Sequence, residues 1–249
     1  MLTDKILALA RCGKIEELRA LLDATPDLLD AAQEGHGRTL LWEAVRFGRA
    51  PLVDFLLARG AAVDVPGRHR AESLVLLTPL AVAKWFKRRD IVEKLEAKGA
   101  QFDIYGAAFL GDLEAVRTFV QQRPELVNRT LPADGVWETI PLHFAASGEQ
   151  VEVACFLCAR GSDVVEHGTL LLDMAARRGH RELVELFLEN GADARELTAF
   201  SVVVGGNADE LLPLLVGRGL DVNRDNFGYP ALVYASRGDK GEHPDWGTM

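Results

Sequence analysis

Residues 175–194 read "AARRGHRELVELFLENGADA", and this stretch contains the parts of a complete helix–turn–helix unit. Two alanines lie near the end of a first helix, and Gly179 marks the turn that follows. Leu183 and Phe187 then belong to an apolar face with the spacing of a second helix. Gly191 comes where a left-handed residue commonly ends a helix. A single unit of this size cannot bury its apolar face alone, so the stretch predicts stacked copies.

Further copies of this unit occur along the whole sequence. Four are clear, at 37–64, 77–103, 139–164 and 168–194; weaker ones lie at 4–30, 103–128 and 197–223, with a partial one at 228–244. Small alanines let the first helices pack closely, and larger Leu, Val and Phe side chains of the second helices fill the layer between copies. We therefore predict one domain over residues 1–249, with repeats near 2–36, 37–66, 74–102, 103–130, 137–165, 168–194, 197–224 and a partial 226–249.

Four sequence motifs carry a resemblance to a known family. They are "TPLAVA" (78–83), "IPLHFAASG" (140–148), "GLDVN" (219–223) and the opening stretch. Together they resemble the ankyrin repeat pattern T-P-L-H-x-A-A-x-x-G-H-x-x-V-V-x-L-L-L-x-x-G-A-D-V-N, and the similarity covers essentially the whole chain. The resemblance implies an all-α solenoid of stacked helix–turn–helix pairs joined by β-turn or hairpin loops. It also implies recognition of a partner protein.

Two repeats depart from this pattern in informative ways. In repeat three, Lys87 stands where the inter-helix glycine is expected and Lys84 replaces the second alanine, which predicts a basic and less regular turn. The last copy has no second helix, so its apolar residues Leu232 and Tyr234 are candidates for self-association with another subunit. A terminal repeat normally covers that end with a polar face.

Composition places the chain among acidic globular proteins. Its 249 residues include 28 Lys and Arg against 37 Asp and Glu, a formal net charge of −9. Such a molecule repels nucleic acid and anionic membranes as a whole. The opening residues show no secretory pattern, and the longest apolar stretch, 73–83, is too short to span a bilayer. Three sparse cysteines are typical of a reducing compartment, so we expect a cytoplasmic protein.

The sequence offers little support for catalysis, a metal or a cofactor. Cys155 and Cys158 form a C-x-x-C pair, but structural zinc normally needs four ligands and no second pair accompanies them. We interpret both as packing residues of a helix. The resemblance places His143 and His180 at structural positions of the repeat. No phosphate-binding loop, nucleophile elbow or H-E-x-x-H motif is present, so the chain is predicted not to be an enzyme and to need no cofactor.

The most plausible function is therefore binding of a protein partner. In ankyrin-like stacks, partners usually contact loop tips and the variable outward positions of the first helices. These positions are rich in aromatic residues and arginine, which are enriched at interaction hot spots. The candidates are Arg46, Phe47, Val82, Trp85, Phe86, Phe109, Phe144, Met174, Arg177 and Arg178, with Trp137 in a long loop. The alternative is that several of them fill the space between adjacent first helices.

The run "KWFKRR" at 84–89 suggests a second hypothesis, the binding of nucleic acid or another anionic ligand. Its signature would be an affinity that falls steeply as the salt concentration rises. The acidic composition makes this hypothesis the weaker one. The sequence leaves open whether Trp85 and Phe86 are exposed or covered by the loop at 64–72.

Overall fold

The computed structural model describes residues 4–68, 75–132, 138–199, 202 and 208–224. Its contacts divide the chain into two compact units, residues 1–153 and 154–249. Trp137, Leu232 and Tyr234 lie outside the described residues, as does the partial last repeat. The assignment of one domain to the whole chain stays a prediction.

The first unit is built from successive helix pairs. These are α1 (Asp4–Cys12) with α2 (Ile15–Ala24), α3 (Leu40–Arg46) with α4 (Ala50–Ala58), α5 (Pro79–Trp85) with α6 (Arg89–Ala97), and α7 (Ile104–Leu110) with α8 (Leu113–Gln122). Next comes α9 (Pro141–Ser147), followed by α10 (Val151–Ala159), which contains the division between the units. Short 3-10 turns at Pro26–Leu28 and Pro124–Asn128 follow α2 and α8.

The first helices begin where their sequence supplies a cap. The Thr39 hydroxyl accepts a hydrogen bond from the Trp42 amide at 3.2 Å, and the Thr78 hydroxyl accepts one from the Ala81 amide at 3.3 Å. In α7 the carboxylate of Asp103 has the same role toward Gly106. These bonds satisfy amides that have no partner inside the helix.

The first helices of the first unit pack against one another in chain order. Helix α1 contacts α3, α3 contacts α5, α5 contacts α7, and α7 contacts α9. Ala44, Ala83 and Ala107 in these helices are completely buried, as close helix packing requires. Among the second helices, α4 contacts α6, and residues such as Ile91 and Leu95 of α6 are buried. The predicted all-α fold of stacked helix pairs is confirmed.

Short β-hairpins lie between α4 and α5 and between the second 3-10 turn and α9. Strand β1 (Gly67–Arg68) pairs with β2 (Leu76–Leu77), and β3 (Leu131–Pro132) pairs with β4 (Glu138–Thr139), both antiparallel. Trp42 of α3 anchors the first hairpin, because its indole N–H donates to the Leu77 carbonyl at 2.7 Å. A Cβ at Gly67 would lie 3.1 Å from the same indole, so the strand approaches the ring closely.

In the second unit, α11 (Val164–Arg177) packs against α12 (Arg181–Glu189). A 3-10 turn at Ala194–Glu196 and helix α13 (Ala208–Val216) follow. Helix α11 begins at Val164, four residues before the predicted start of repeat six, because Asp163 caps it by accepting from the Glu166 amide at 2.9 Å. Gly168 permits this continuation, since a Cβ there would lie 2.9 Å from Ala192.

The turns between paired helices share one hydrogen bond. The amide that follows the turn donates to a carbonyl five residues earlier, at 2.9 Å for both Arg88 to Ala83 and Arg49 to Ala44. Lys87 adopts φ 55°, a left-handed conformation close to that of Gly48 at φ 66°. The prediction of a less regular turn in repeat three was therefore wrong, because lysine takes the backbone conformation of the missing glycine. This conformation costs a residue with a Cβ roughly 1–2 kcal/mol.

In repeat five the glycine of the inter-helix turn, Gly148, is not the left-handed residue. Gly148 has φ −87°, and the left-handed residue is Glu149 at φ 60°. The same closing bond forms here, from the Gln150 amide to the Ala145 carbonyl at 2.9 Å. A Cβ at Gly148 would lie 2.0 Å from the carbonyl oxygen of Phe109. Gly148 is thus required by close approach of the preceding repeat.

Candidate functional site

Phe47 and Phe86 are the exposed aromatic side chains among the described residues, with 39% and 40% of their surface accessible. Each directly follows a first helix, α3 or α5, and precedes the left-handed residue of the turn. The two rings therefore occupy the same position in successive repeats. Because α3 packs on α5, they lie on one edge of the first unit.

Trp85 connects Phe86 to the next repeat. Its ring centroid lies 5.1 Å from that of Phe86 and 4.9 Å from that of Phe109, the second contact being edge-to-face. Aromatic pairs in this geometry contribute about 0.5–1.5 kcal/mol beyond their buried area. Trp85 is half-buried. It packs against the neighbouring Phe86, which keeps 40% of its surface accessible.

An arginine lies over each exposed ring. The Arg46 guanidinium carbon is 5.3 Å from the centroid of Phe47, and that of Arg88 is 5.2 Å from the centroid of Phe86. A cation over a ring face is attracted by the negative charge there. Phe47, Trp85, Phe86, Arg46 and Arg88 together are called the aromatic edge from here on.

Arginines after the turns also bond to the preceding repeat. Arg88 Nη2 donates to the Arg46 carbonyl at 2.8 Å, and Arg49 Nε donates to the Arg11 carbonyl at 2.6 Å. Both acceptors lie in the last turn of a first helix, where carbonyls lack an intrahelical donor and attract positive charge. Burial lowers the pKa of Arg88. The two arginines therefore cap the helices of the repeats before them.

The basic residues of the run at 84–89 differ in their contacts: some are paired within the fold and others are exposed. Lys84 Nζ lies 3.2 Å from Glu96 of the paired helix, and Arg88 is held as just described. Lys87 and Arg89 are exposed. The run is therefore part helix packing and part solvent-exposed charge.

Four predicted surface residues are buried. Val82 and Phe144 have 0% of their surface exposed, Met174 has 5% and Phe109 has 7%. Phe144 packs against Tyr105 of the preceding helix, with ring centroids 5.1 Å apart. Direct packing of α5, α7 and α9 encloses side chains on their facing sides, so Val82, Phe109 and Phe144 fit the gap-filling alternative. The four residues are left out of the candidate surface.

The other predicted residues lie in the second unit or outside the described residues. Arg177 and Arg178, at the end of α11 in the second unit, are exposed, and Arg177 Nε lies 2.7 Å from Asp173. Trp137 is outside the described residues. A partner-binding role for these three residues stays a prediction.

A buried charged network lies beside the aromatic edge and was not anticipated. Glu43 is fully buried, 3.1 Å from Arg11 Nη2 and 3.6 Å from Arg38 Nη1. Arg38 Nε also donates to the Arg68 carbonyl of β1 at 2.6 Å, and burial lowers the pKa of Arg38. The network joins α1 and the first hairpin to α3. Arg11 is 32 positions from Glu43, so no local pattern could reveal the pairing.

Comparison with known families agrees with this architecture. The family model described as "Ankyrin repeat" matches residues 36–65, and that described as "Ankyrin repeats (3 copies)" matches residues 104–196. The chain belongs to the ankyrin-repeat family. Ankyrin repeats in general mediate protein–protein interaction, and the matched segments include both α3 and α7 on either side of α5.

Several curated ankyrin-repeat relatives are similar in sequence. Ankyrin repeat and SAM domain-containing protein 6 of Rattus norvegicus is 28% identical over 175 residues, 62% of this chain and 19% of that protein. E3 ubiquitin-protein ligase XB3 of Oryza sativa subsp. japonica is 28% identical over 194 residues, 76% and 38% respectively. Transient receptor potential cation channel subfamily A member 1 of Homo sapiens is 28% identical over 207 residues, which cover 64% of this chain and 18% of that protein. The chain spans well under half the length of each.

The histidine of the ankyrin motif has a structural position here. His143 is fully buried, and its Nδ1 accepts a hydrogen bond from the Ile140 amide at 3.1 Å, at the start of α9. In α10, Cys155 is exposed and Cys158 half-buried, and burial raises the pKa of the Cys158 thiol to about 11. Within the described part of the chain, no group of three or more His, Cys, Asp or Glu residues could hold a metal ion. Nor is any described helix both long and apolar enough to cross a bilayer.

Proposed function

We propose that this ankyrin-repeat protein is a non-catalytic adaptor that binds another protein through the aromatic edge of its first unit. The observation that carries the proposal is the exposure of Phe47 and Phe86 at equivalent positions of two packed repeats. Covering such rings removes apolar surface from water, which is the main driving force of protein association. The proposed adaptor acts in the cytoplasm and needs no cofactor.

The rigidity of the aromatic edge favours this proposal. Phe86 is held by Trp85, and each exposed ring has an arginine over one face. Side chains that are already ordered lose little conformational freedom on binding, so more of the burial energy contributes to affinity. Phenylalanine beside arginine and tryptophan is also the composition typical of interaction hot spots.

The proposal is tested by the double variant Phe47→Ala/Phe86→Ala. Proteins captured from native cells by the wild-type chain are identified and purified, and their binding to both chains is measured by calorimetry. We expect the Kd of the partner to rise at least tenfold, since loss of a hot-spot side chain costs about 2 kcal/mol or more. Thermal unfolding verifies that the double variant is folded.

Val165→Ala is the matched control, because Val165 is an exposed apolar residue of the second unit, with 75% of its surface accessible. It should bind the partner as the wild type does. If the double variant binds every captured protein with unchanged affinity, the aromatic edge is not the binding surface.

A further inference from the structure

Positive charge is concentrated at the first three inter-helix turns, next to the aromatic edge. The turns contain Lys14, Arg49, Lys87 and Arg88, and Arg89 begins α6 directly after the third; these five residues are here called the basic edge. The next two turns carry Asp112 and Glu149 instead. In a chain of net charge −9, this is a local reversal of sign.

The first three turns stack on one another, so their charges act together. The Arg49 side chain lies against Gly13, where an added Cβ would be 3.4 Å from its Cδ. The Arg88 side chain lies against Gly48 so closely that an added Cβ would overlap its guanidinium. The positive charge of Arg49 contributes to lowering the pKa of Arg88, as expected for neighbouring cations.

Among the described residues, most of this charge is not neutralised by acidic groups. Arg49 and Arg88 donate to backbone carbonyls, which carry no net charge. Lys14 lies 3.7 Å from Glu17, but both side chains are more than half exposed, so the pair is weak. Asp90 is the acidic group that acts on Arg88. The basic edge therefore presents positive charge to whatever covers Phe47 and Phe86.

We infer that the segment bound by the aromatic edge is an acidic peptide of a partner protein, with apolar side chains that cover the two phenyl rings and carboxylates that face the basic edge. The inference rests on the proposed adaptor function and specifies the chemistry of its partner. Carboxylates pair well with guanidinium and ammonium groups, and such complementarity selects partners and accelerates association.

The spacing of the rings further specifies the peptide. Packed helices lie about 8–10 Å apart, so equivalent positions on α3 and α5 are separated by about that distance. A peptide in the polyproline II conformation advances about 3.1 Å per residue with about three residues per turn, so side chains three positions apart lie on one face. Two apolar residues about three positions apart would therefore reach Phe47 and Phe86 together.

The same geometry disfavours nucleic acid as the ligand. Single strands bind proteins by stacking bases on exposed ring faces. Here a guanidinium lies over one face of each ring, so that face is not open to a stacking base.

A displayed library of random dodecapeptides tests the inference. We expect the wild-type chain to select peptides enriched in Asp and Glu, with apolar residues about three positions apart. Fluorescence anisotropy of selected peptides should show affinity falling at least threefold between 50 and 200 mM salt, as ion pairing predicts. Selection of neutral or basic peptides, or of none above background, would overturn the inference.

Charge reversal supplies the second part of the test. Lys87→Glu/Arg89→Glu changes two exposed residues and should weaken the selected acidic peptides at least tenfold, whereas Lys98→Glu, at the far end of α6, should not. An unchanged affinity in the double variant overturns the inference. A 12-nucleotide single strand serves as competitor, and displacement of the peptide at equal concentration would favour nucleic acid instead.

The two proposals fail in different ways. If the captured partner depends on Phe47 and Phe86 but not on Lys87 and Arg89, the adaptor function stands and the acidic specificity is wrong. If it depends on neither pair, the aromatic edge is not the binding surface and both are wrong.

Discussion

The inter-helix turns of repeats three and five share one backbone conformation but present different side chains at the surface. Neither has a glycine at the left-handed position, which is taken by Lys87 at φ 55° and Glu149 at φ 60°. Both close with a 2.9 Å bond to an alanine carbonyl. Yet the residue before the turn is the exposed Phe86 in one and Gly148 in the other.

This difference shows that the preceding repeat determines which side chain fits before the left-handed residue of the turn. At Gly148 the Phe109 carbonyl approaches so closely that no side chain fits. At Phe86 the ring packs against Trp85 and extends to solvent. The repeat thus specifies the backbone of the turn, and the distance to the preceding repeat decides whether a side chain can be presented there for binding.

Of the substitutions that test this comparison, Gly148→Ala should change the free energy of unfolding most. The new methyl group would lie 2.0 Å from a backbone oxygen that cannot move without shifting α7. We expect the free energy of unfolding to fall by about 2–3 kcal/mol, measured by urea denaturation. Gly99→Ala isolates the cost of backbone strain, because its φ of 87° is unfavourable for alanine and no atom lies within 4 Å, whereas Gly148 at φ −87° has the close contact without that strain. Gly99→Ala should lose only about 1 kcal/mol. A loss of less than about 0.5 kcal/mol in Gly148→Ala would mean that close approach does not matter there.

Arg88→Ala should have an intermediate effect. It removes the hydrogen bond to the Arg46 carbonyl and the contact with the Phe86 ring. A loss of about 1–2 kcal/mol in unfolding free energy is expected, because the helix-end carbonyl then lacks this donor. The neighbouring exposed residue provides the reference, since Arg89→Ala should change stability by less than about 0.5 kcal/mol. Indistinguishable unfolding curves for the two variants would show that the cap contributes nothing.

Lys87→Gly should change the free energy of unfolding least, and it should raise stability rather than lower it. Glycine adopts a left-handed conformation without a Cβ penalty, but it has more freedom to lose on folding. We expect a net gain of about 0.5 kcal/mol in thermal or chemical denaturation. Lys98→Gly, where φ is −95°, should instead destabilise the chain. A destabilised Lys87→Gly variant would indicate that the lysine side chain itself stabilises the turn.

The sequence predicted the repeats, their helix pairs and the family, because periodic apolar positions and glycines are local signals. It also predicted Arg46, Phe47, Trp85 and Phe86 as surface candidates, and all four are at least partly exposed. It failed for Val82 and Phe144, since their burial depends on how closely successive first helices approach. It also gave no sign of Arg88 reaching Arg46, a bond between residues 42 positions apart.

The hydrogen bond from Arg88 to Arg46 joins two consecutive repeats, with the donor in the later repeat. The donor of each capping bond belongs to one repeat and its acceptor to the repeat before it, for Arg49 with Arg11 as for Arg88 with Arg46. A cut at a repeat boundary therefore separates a helix from the residue that completes its end. Because the two bonds together span residues 11 to 88 and overlap at the second turn, every cut in this range breaks at least one of them, and a cut at that turn breaks both. A fragment that ends after one of these repeats therefore leaves its last first helix without the arginine that caps it.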